Sequence, residues 1–238
     1  MAAKLLGMME GMRIIGVLAP GGSTVFSNEL AHGADPHRTL WEKGYRIVRP
    51  LSATGVAPDI VLTVQLAAHS KRITHPRFVT RTIEQDLPAV VPVPRQRIAA
   101  YAIVLSELGL LGTQFSELTA VPGLWGLPGG GIQDGESPSQ AVVREVCEEA
   151  GQQLELSQLL DLQTDHWIGR SPTGIVEDFH AVRIIYSGVC PEPIPIQVND
   201  AGGTTAAATW IPLDTWANVN WTQGARALLD RHLPDLSS

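Results

Sequence analysis

The chain has 238 residues, 44% of them apolar and 17% charged, with a formal net charge of −7. That length suits one large or two small domains with a packed core, and the acidic balance excludes a general nucleic-acid binder, which needs a basic footprint. The two cysteines, Cys147 and Cys190, exclude a disulfide framework, and Glu10 and Arg13 interrupt the apolar N-terminus, so neither a signal peptide nor a membrane span is expected and the cytoplasm is the default location.

Residues 12–18 read as a buried strand, followed by a turn at Pro20-Gly21-Gly22-Ser23 that lacks the Lys-Ser/Thr ending of a phosphate loop. Asp35 to Lys43 predicts a short helix with Asp35 as cap, Pro36 in its first position and Gly44 behind it. Tyr45–Leu51 and Asp59–Ala67 predict strands joined by a longer loop over 52–58. The prolines and scattered charges of 70–95 suggest an extended linker and a domain boundary near residue 95. Arg97–Ser106, with Tyr101, Ile103 and Leu105 alternating, and Leu110–Phe115 predict the first strands of a second unit. Beyond residue 151, Trp167 with His166 and Arg170 is expected in a polar loop, His180–Ser187 and Ala207–Ile211 as strands, and Thr222 as cap of a final helix carrying Ala225, Leu228 and Leu229 on one face. His180, alternating with Val182, reads as a satisfied core or sheet histidine rather than a ligand.

The stretch from Gly130 to Gly151 carries the chemistry. A glycine is followed after five residues by Glu136, and after seven more by Arg144-Glu145-Val146-Cys147-Glu148-Glu149-Ala150-Gly151. Ser137 is a good N-cap, Pro138 suits the first helical position, Gln140 can complete a capping box and Gly151 is a natural terminator. At about 100° per residue, Glu145, Glu148 and Glu149 fall within roughly one third of the circumference. Val143, Val146, Cys147 and Ala150 cluster opposite, so one face is expected to pack and the other to present carboxylates. Glutamates at this spacing repel one another; Arg144 can offset part of the repulsion through Glu148 or Glu136. A hard cation such as Mg²⁺ takes oxygen ligands and commonly uses carboxylates plus substrate phosphates. A solvated acidic face is the plain alternative, but the glycine turn, Glu136, Arg144 and Gly151 all fall in register with the cation reading.

The segment resembles the Nudix box, G-x5-E-x7-R-E-U-x-E-E-x-G-U with U a bulky aliphatic residue; every specified position matches except the last, where Gln152 stands. The run Leu124-Trp125-Gly126-Leu127-Pro128-Gly129-Gly130 also resembles the family's approach to the box. The resemblance covers about residues 96–235 and implies an α/β fold, an α/β/α sandwich around a mixed sheet. Residues 1–95 look like a small α/β module that packs on the catalytic unit, completes a dimer or shapes the pocket. The implied activity is Mg²⁺-dependent hydrolysis of a diphosphate, NDP-X to NMP plus X-phosphate, with Mn²⁺ as an alternative ion. Glu148, Glu149 and Glu145 are the implied metal ligands, with Glu145 alternatively the base, and the backbone of Gly129 or Gly130 completing the coordination. Glu136 and Arg144 are implied to support the loop and helix, or, for Arg144, to touch phosphate. Glu177, Asp178 and Asp200 are candidate bases, each alternatively a solvated loop carboxylate, and Asp200 lies roughly where the family often keeps a mobile acidic residue. Trp167 is the candidate wall for a base and Arg170 for a distal phosphate or ribose, although Trp167 can also be read as partly buried under the loop.

The expected partner is a small nucleotide-type molecule, with no nucleic acid or membrane, and a homodimer is open. An ADP-sugar such as ADP-ribose is preferred, because ADP-ribose pyrophosphatases use comparable N-terminal segments for dimerisation. Two other readings stand beside this one. A ligand-sensing Nudix module is expected to have degraded carboxylates and a DNA-binding unit, and a diphosphate isomerase needs a further catalytic cysteine and glutamate.

Overall fold

A computed structural model describes residues 11–69, 81–82, 90–171, 173–199 and 203–237. The linker expected over 70–95 falls largely outside these residues, as does Asp200. The strands are β1 (Gly11–Val17), β2 (Thr24–Glu29), β3 (Tyr45–Val56), β4 (Asp59–Ala68), β5 (Arg81–Thr82), β6 (Val93–Ser106), β7 (Gly109–Phe115), β8 (Trp125–Gly126), β9 (Gly129–Gly131), β10 (Glu155–Arg170), β11 (Val176–Val189) and β12 (Thr205–Ile211). The helices are α1 (Pro36–Glu42), α2 (Pro138–Ala150) and α3 (Gln223–Leu236). Both sheets are mixed, with orders β2-β1-β4-β3 and β12-β7-β6-β11-β10-β5, β8 pairing with β7 and β9 with β6.

The chain packs as two compact units. One comprises Met1–Ala99, Ile132–Pro138 and Asp161–Ile184; the other comprises Ala100–Gly131, Ser139–Leu160 and Ile185–Ser238. Strands β6, β10 and β11 contribute residues to both.

In the first unit, β1 runs parallel to β4 and antiparallel to β2. Ile60, Leu62, Val64 and Leu66 are buried while their neighbours along β4 are not, the period of a sheet with one face on a core. Met12 and Ile14 continue that face on β1, and Leu40 of α1 is fully buried. The helix starts where the sequence places it: Asp35 Oδ1 accepts from the Arg38 N–H at 2.7 Å. The expected 52–58 loop does not form. β3 continues to Val56, and Val56 pairs with Asp59 across a tight turn. Pro50 signals a break in sequence, yet it sits where the register shifts in an edge strand, a place that tolerates the missing N–H. The tip of this hairpin is tied to the box loop: Ala57 N–H donates to Glu136 O at 3.0 Å and Gly135 N–H donates to Ala57 O at 2.9 Å.

In the second unit, β6 and β7 form a hairpin pairing Leu105 with Leu110, and β12 lies antiparallel to β7. Ile103, Leu110, Ile185 and Ile211 of these strands bury against Ala225, Leu228, Leu229 and Leu233 of α3. Thr222 caps α3, its Oγ1 accepting from the Ala225 N–H. β6 starts at Val93, earlier than the expected Arg97, and buries Ile98, Ala100, Ala102, Ile103 and Val104. The simple alternation fails because β6 is a central strand, covered on both faces. In the first unit, the polar run around Trp167 is not a loop either: it belongs to β10, and Glu177 and Asp178 belong to β11.

Candidate active site

The box helix packs differently from its sequence pattern. Ala141, Val142, Val146 and Ala150 are buried as expected of a core face, but Val143 and Cys147 are exposed and Glu149 is buried. The packed face is thus rotated toward the carboxylates, because Glu149 finds donors inside. Gly129 N–H donates to its Oε2 at 3.0 Å and the Thr205 hydroxyl donates to its Oε1. Two such bonds make a buried carboxylate tolerable. Gly151 ends the helix at φ +70°, its N–H bonded to Cys147 O at 2.9 Å.

Glu145 and Glu148 share one cation. Arg144 Nη1 lies 2.9 Å from Glu145 Oε1 and 2.9 Å from Glu148 Oε2, while Nη2 donates to Gly131 O at 3.0 Å. The arginine therefore offsets the glutamate repulsion and fastens the helix to β9. Glu148 is about half exposed, at 49% of its side chain, against 17% for Glu145. Gly130 comes so close to Glu145 that a Cβ there would lie 2.5 Å from the carboxylate carbon. Gly129 holds φ +142°, and a Cβ on it would collide with Ala100 O and come within 2.6 Å of Tyr101 Cα. Both positions demand glycine, one for the backbone and one for the neighbouring carboxylate. Glu145 and Glu148 meet at Arg144 while Glu149 turns to Gly129 and Thr205; together with the Gly130 backbone these residues offer only oxygen donors, the type a hard divalent cation takes.

Glu136 accepts from Gln133 N–H at 3.0 Å through its carboxylate and so closes the box loop on itself. Gln152, the position where the box pattern breaks, is fully buried. Its Nε2 donates to Ala150 O and Ile194 O, and its Oε1 accepts from Ile194 N–H and the Cys190 thiol. Gln152 is thus a hydrogen-bonded hub that fastens the 190–194 segment.

The remaining candidates lie in the first unit. Trp167 stacks on Phe179 with ring centroids 4.9 Å apart, and Arg170 Nη1 donates to Gly174 O at 3.3 Å. Glu177 is buried and paired with Arg95 at 3.0 Å, so neither it nor Asp178 is the solvated loop carboxylate considered from the sequence. Asp178 accepts from His166 Nε2 and lies 3.4 Å from His32 Nε2. His180 is fully buried, its Nδ1 2.9 Å from Gln96 Oε1, and its pKa is pushed down to about 4 by burial first and then by His32 and His166. Sequence reading missed His32 and Thr205; the faint signal for the histidine group was the spacing of two, one strand face, that relates Thr164 to His166 and Asp178 to His180.

A model of the NUDIX domain matches residues 95–231. The chain belongs to the Nudix family. It is 24% identical over 143 residues to Nudix hydrolase 6 of Arabidopsis thaliana, covering 58% of this chain and 47% of that protein. It is 28% identical over 118 residues to Nudix hydrolase 2 of the same plant, covering 49% of this chain and 37% of that one. The matched stretch thus spans less than half the length of these relatives. Among solved structures it is similar to a MutT Nudix hydrolase from Burkholderia pseudomallei, with 24% identity, a TM-score of 0.44, and coverage of 58% of this chain and 98% of that one. Among the described residues, no helix of this Nudix protein is long and apolar enough to cross a membrane.

Proposed function

We propose that this protein is a divalent-cation-dependent pyrophosphohydrolase that opens NDP-X to NMP plus X-phosphate in the cytoplasm. The observation that carries this reading is the close approach of the Gly130 backbone to the Glu145 carboxylate, with Glu148 on the same arginine and Glu149 held by Gly129. Mg²⁺, or Mn²⁺ in its place, would be held by Glu145, Glu148, Glu149 and the Gly130 backbone, and supplies charge neutralisation at the phosphates and a more acidic water. The reaction forms one P–O bond from water and breaks the bridging P–O bond.

Each residue has its own part. The Gly129 N–H and Thr205 hydroxyl fix the Glu149 carboxylate, so its orientation is set before substrate arrives. Arg144 positions Glu145 and Glu148. Glu136 keeps the loop before α2 in shape. The water's proton goes to Asp200, or to Glu145 where that residue serves as base instead of as ligand. Trp167, made rigid by Phe179, offers a stacking face for a nucleobase, and Arg170 a donor for the distal phosphate or ribose. An ADP-sugar such as ADP-ribose is the first substrate to try, and a homodimer built with the N-terminal module is the assembly to look for.

The test is mononucleotide release from a panel of nucleoside diphosphate compounds with Mg²⁺, with EDTA, and with Glu148→Gln and Glu149→Gln. Turnover of one class that is lost under EDTA and reduced at least 100-fold in both variants is expected. Unchanged rates in both folded variants would refute the ligand assignment. Binding of a nucleotide sugar with no turnover across the panel would replace the enzyme with a ligand-sensing module.

A further inference from the structure

The first unit holds a group of side chains that the proposed hydrolysis does not use. His32, in the loop after β2, faces His166 of β10 and Asp178 of β11, and one ligand atom from each lies within 4.8 Å of the others. We propose that His32, His166 and Asp178 form a binding site for a transition-metal ion of the Zn²⁺ class. The site shares no residue with the box.

Three observations carry it. Neither ring nitrogen of His32 has a hydrogen-bond partner although both are buried from solvent. A buried unpaired polar group is unfavourable and calls for a partner. Asp178 turns one oxygen toward each imidazole: Oδ1 accepts from His166 Nε2, and Oδ2 lies 3.4 Å from His32 Nε2 without forming a hydrogen bond. With metal–ligand bonds of about 2.0–2.1 Å, tetrahedral ligands stand about 3.3 Å apart. The His32–Asp178 separation matches that spacing, while His166 and Asp178, 2.5 Å apart and hydrogen-bonded, would part to admit the ion. Two imidazoles and a carboxylate select a borderline metal over Mg²⁺.

The surroundings hold these groups in place. Gly33 follows His32 at φ +71°, and a Cβ on it would lie 2.6 Å from the His166 ring. Asp35 accepts from the Thr164 hydroxyl, tying the His32 loop to the face of β10 that carries His166. Edge-on to both rings, at 5.7 and 5.8 Å between centroids, sits His180. Its Nδ1 lies 2.9 Å from Gln96 Oε1, and the Ala34 backbone also bonds the ring, so this third imidazole is held beside the group by its own partners.

The experiment uses the full chain, stripped of metal and titrated with Zn²⁺ against a chromophoric chelator. It is repeated with His32→Ala, with His166→Ala, and with Glu148→Gln/Glu149→Gln to remove box binding. One Zn²⁺ per chain is expected in the wild type and the box variant, weakened at least 100-fold in each histidine variant. Zn²⁺ at a hundredfold excess over Kd should raise the unfolding midpoint by about 5 °C, and Mg²⁺ should not. Co²⁺ substitution gives a readout on the wild type itself, even if a histidine variant does not fold: intense visible bands of a tetrahedral ion are expected. Zn²⁺ affinity equal in wild type and folded histidine variants, loss of Zn²⁺ only in the box variant, or a wild type without those bands overturns the proposal.

Discussion

Adjacent glycines in β9 should fail in opposite ways. An alanine at 130 places its Cβ 2.5 Å from the Glu145 carboxylate carbon. Ordinary contact begins near 3.4 Å, so the carboxylate must withdraw by about 0.9 Å. It can, because it is the end of a flexible side chain, and stability should change by less than about 1 kcal/mol. A displacement of that size at a reacting centre is worth about 100-fold in rate. Gly130→Ala is thus expected to unfold within about 3 °C of wild type while losing about 100-fold in Mg²⁺-dependent turnover. At 129 the conflict is with backbone: φ +142° disfavours a side chain, and the Cβ collides with Ala100 O. Gly129→Ala should lower stability by at least ~2 kcal/mol. Thermal unfolding and a Mg²⁺ titration of activity separate the two. A Gly130→Ala protein with wild-type kcat and wild-type Mg²⁺ dependence would refute the role assigned to Glu145 and its glycine.

Other expectations are more local. Gln152→Leu supplies the aliphatic residue of the family pattern but strands the Ile194 N–H and two carbonyls; it should cost ~1–3 kcal/mol, seen as a fall of about 2–10 °C in Tm, and an unchanged midpoint would end the hub interpretation. Trp167→Ala should raise KM about 3- to 10-fold with kcat nearly constant, by loss of one stacking contact; an unaltered KM removes Trp167 from substrate binding. Burial pushes the Tyr186 hydroxyl up to about 12, from 10.0. The unfolded chain then ionises first, so this contribution is complete below pH 10 and disappears as pH rises to 12, by at most ~2.7 kcal/mol. Urea unfolding from pH 9 to 12 should accordingly show a shallower loss in Tyr186→Phe than in wild type, and parallel curves would contradict it.

How far the site could be read depended on the range of the interactions. The box is a local pattern: Arg144 and Glu148 meet because residues four apart on a helix are neighbours, as the spacing predicts, whereas the contact of Arg144 with Glu145 was not written in that spacing. α1, with Asp35 and Pro36, and α3, with Thr222 and its apolar stripe, were legible for the same reason. The direction of the buried face of α2 was not. Cys147 looked like core and Glu149 like surface, until Gly129 and Thr205 supplied donors from distant parts of the chain. Val143 erred with Cys147, since hydropathy says what a side chain prefers and not which neighbour it gets.

Strand register decided the rest. Polar residues of β10 and β11 read as loop because each one alone suits solvent; in the strands His166 pairs with Asp178, and Glu177 is buried against Arg95. By itself the sequence determined the family motif and the helix ends, all written in short-range spacing. Only the tertiary structure decided that Glu149 is buried, that Gln152 ties down the segment behind α2, and that His32 stands beside His166. Those contacts join residues far apart in the chain, and sheet pairing and packing, not local spacing, bring them together.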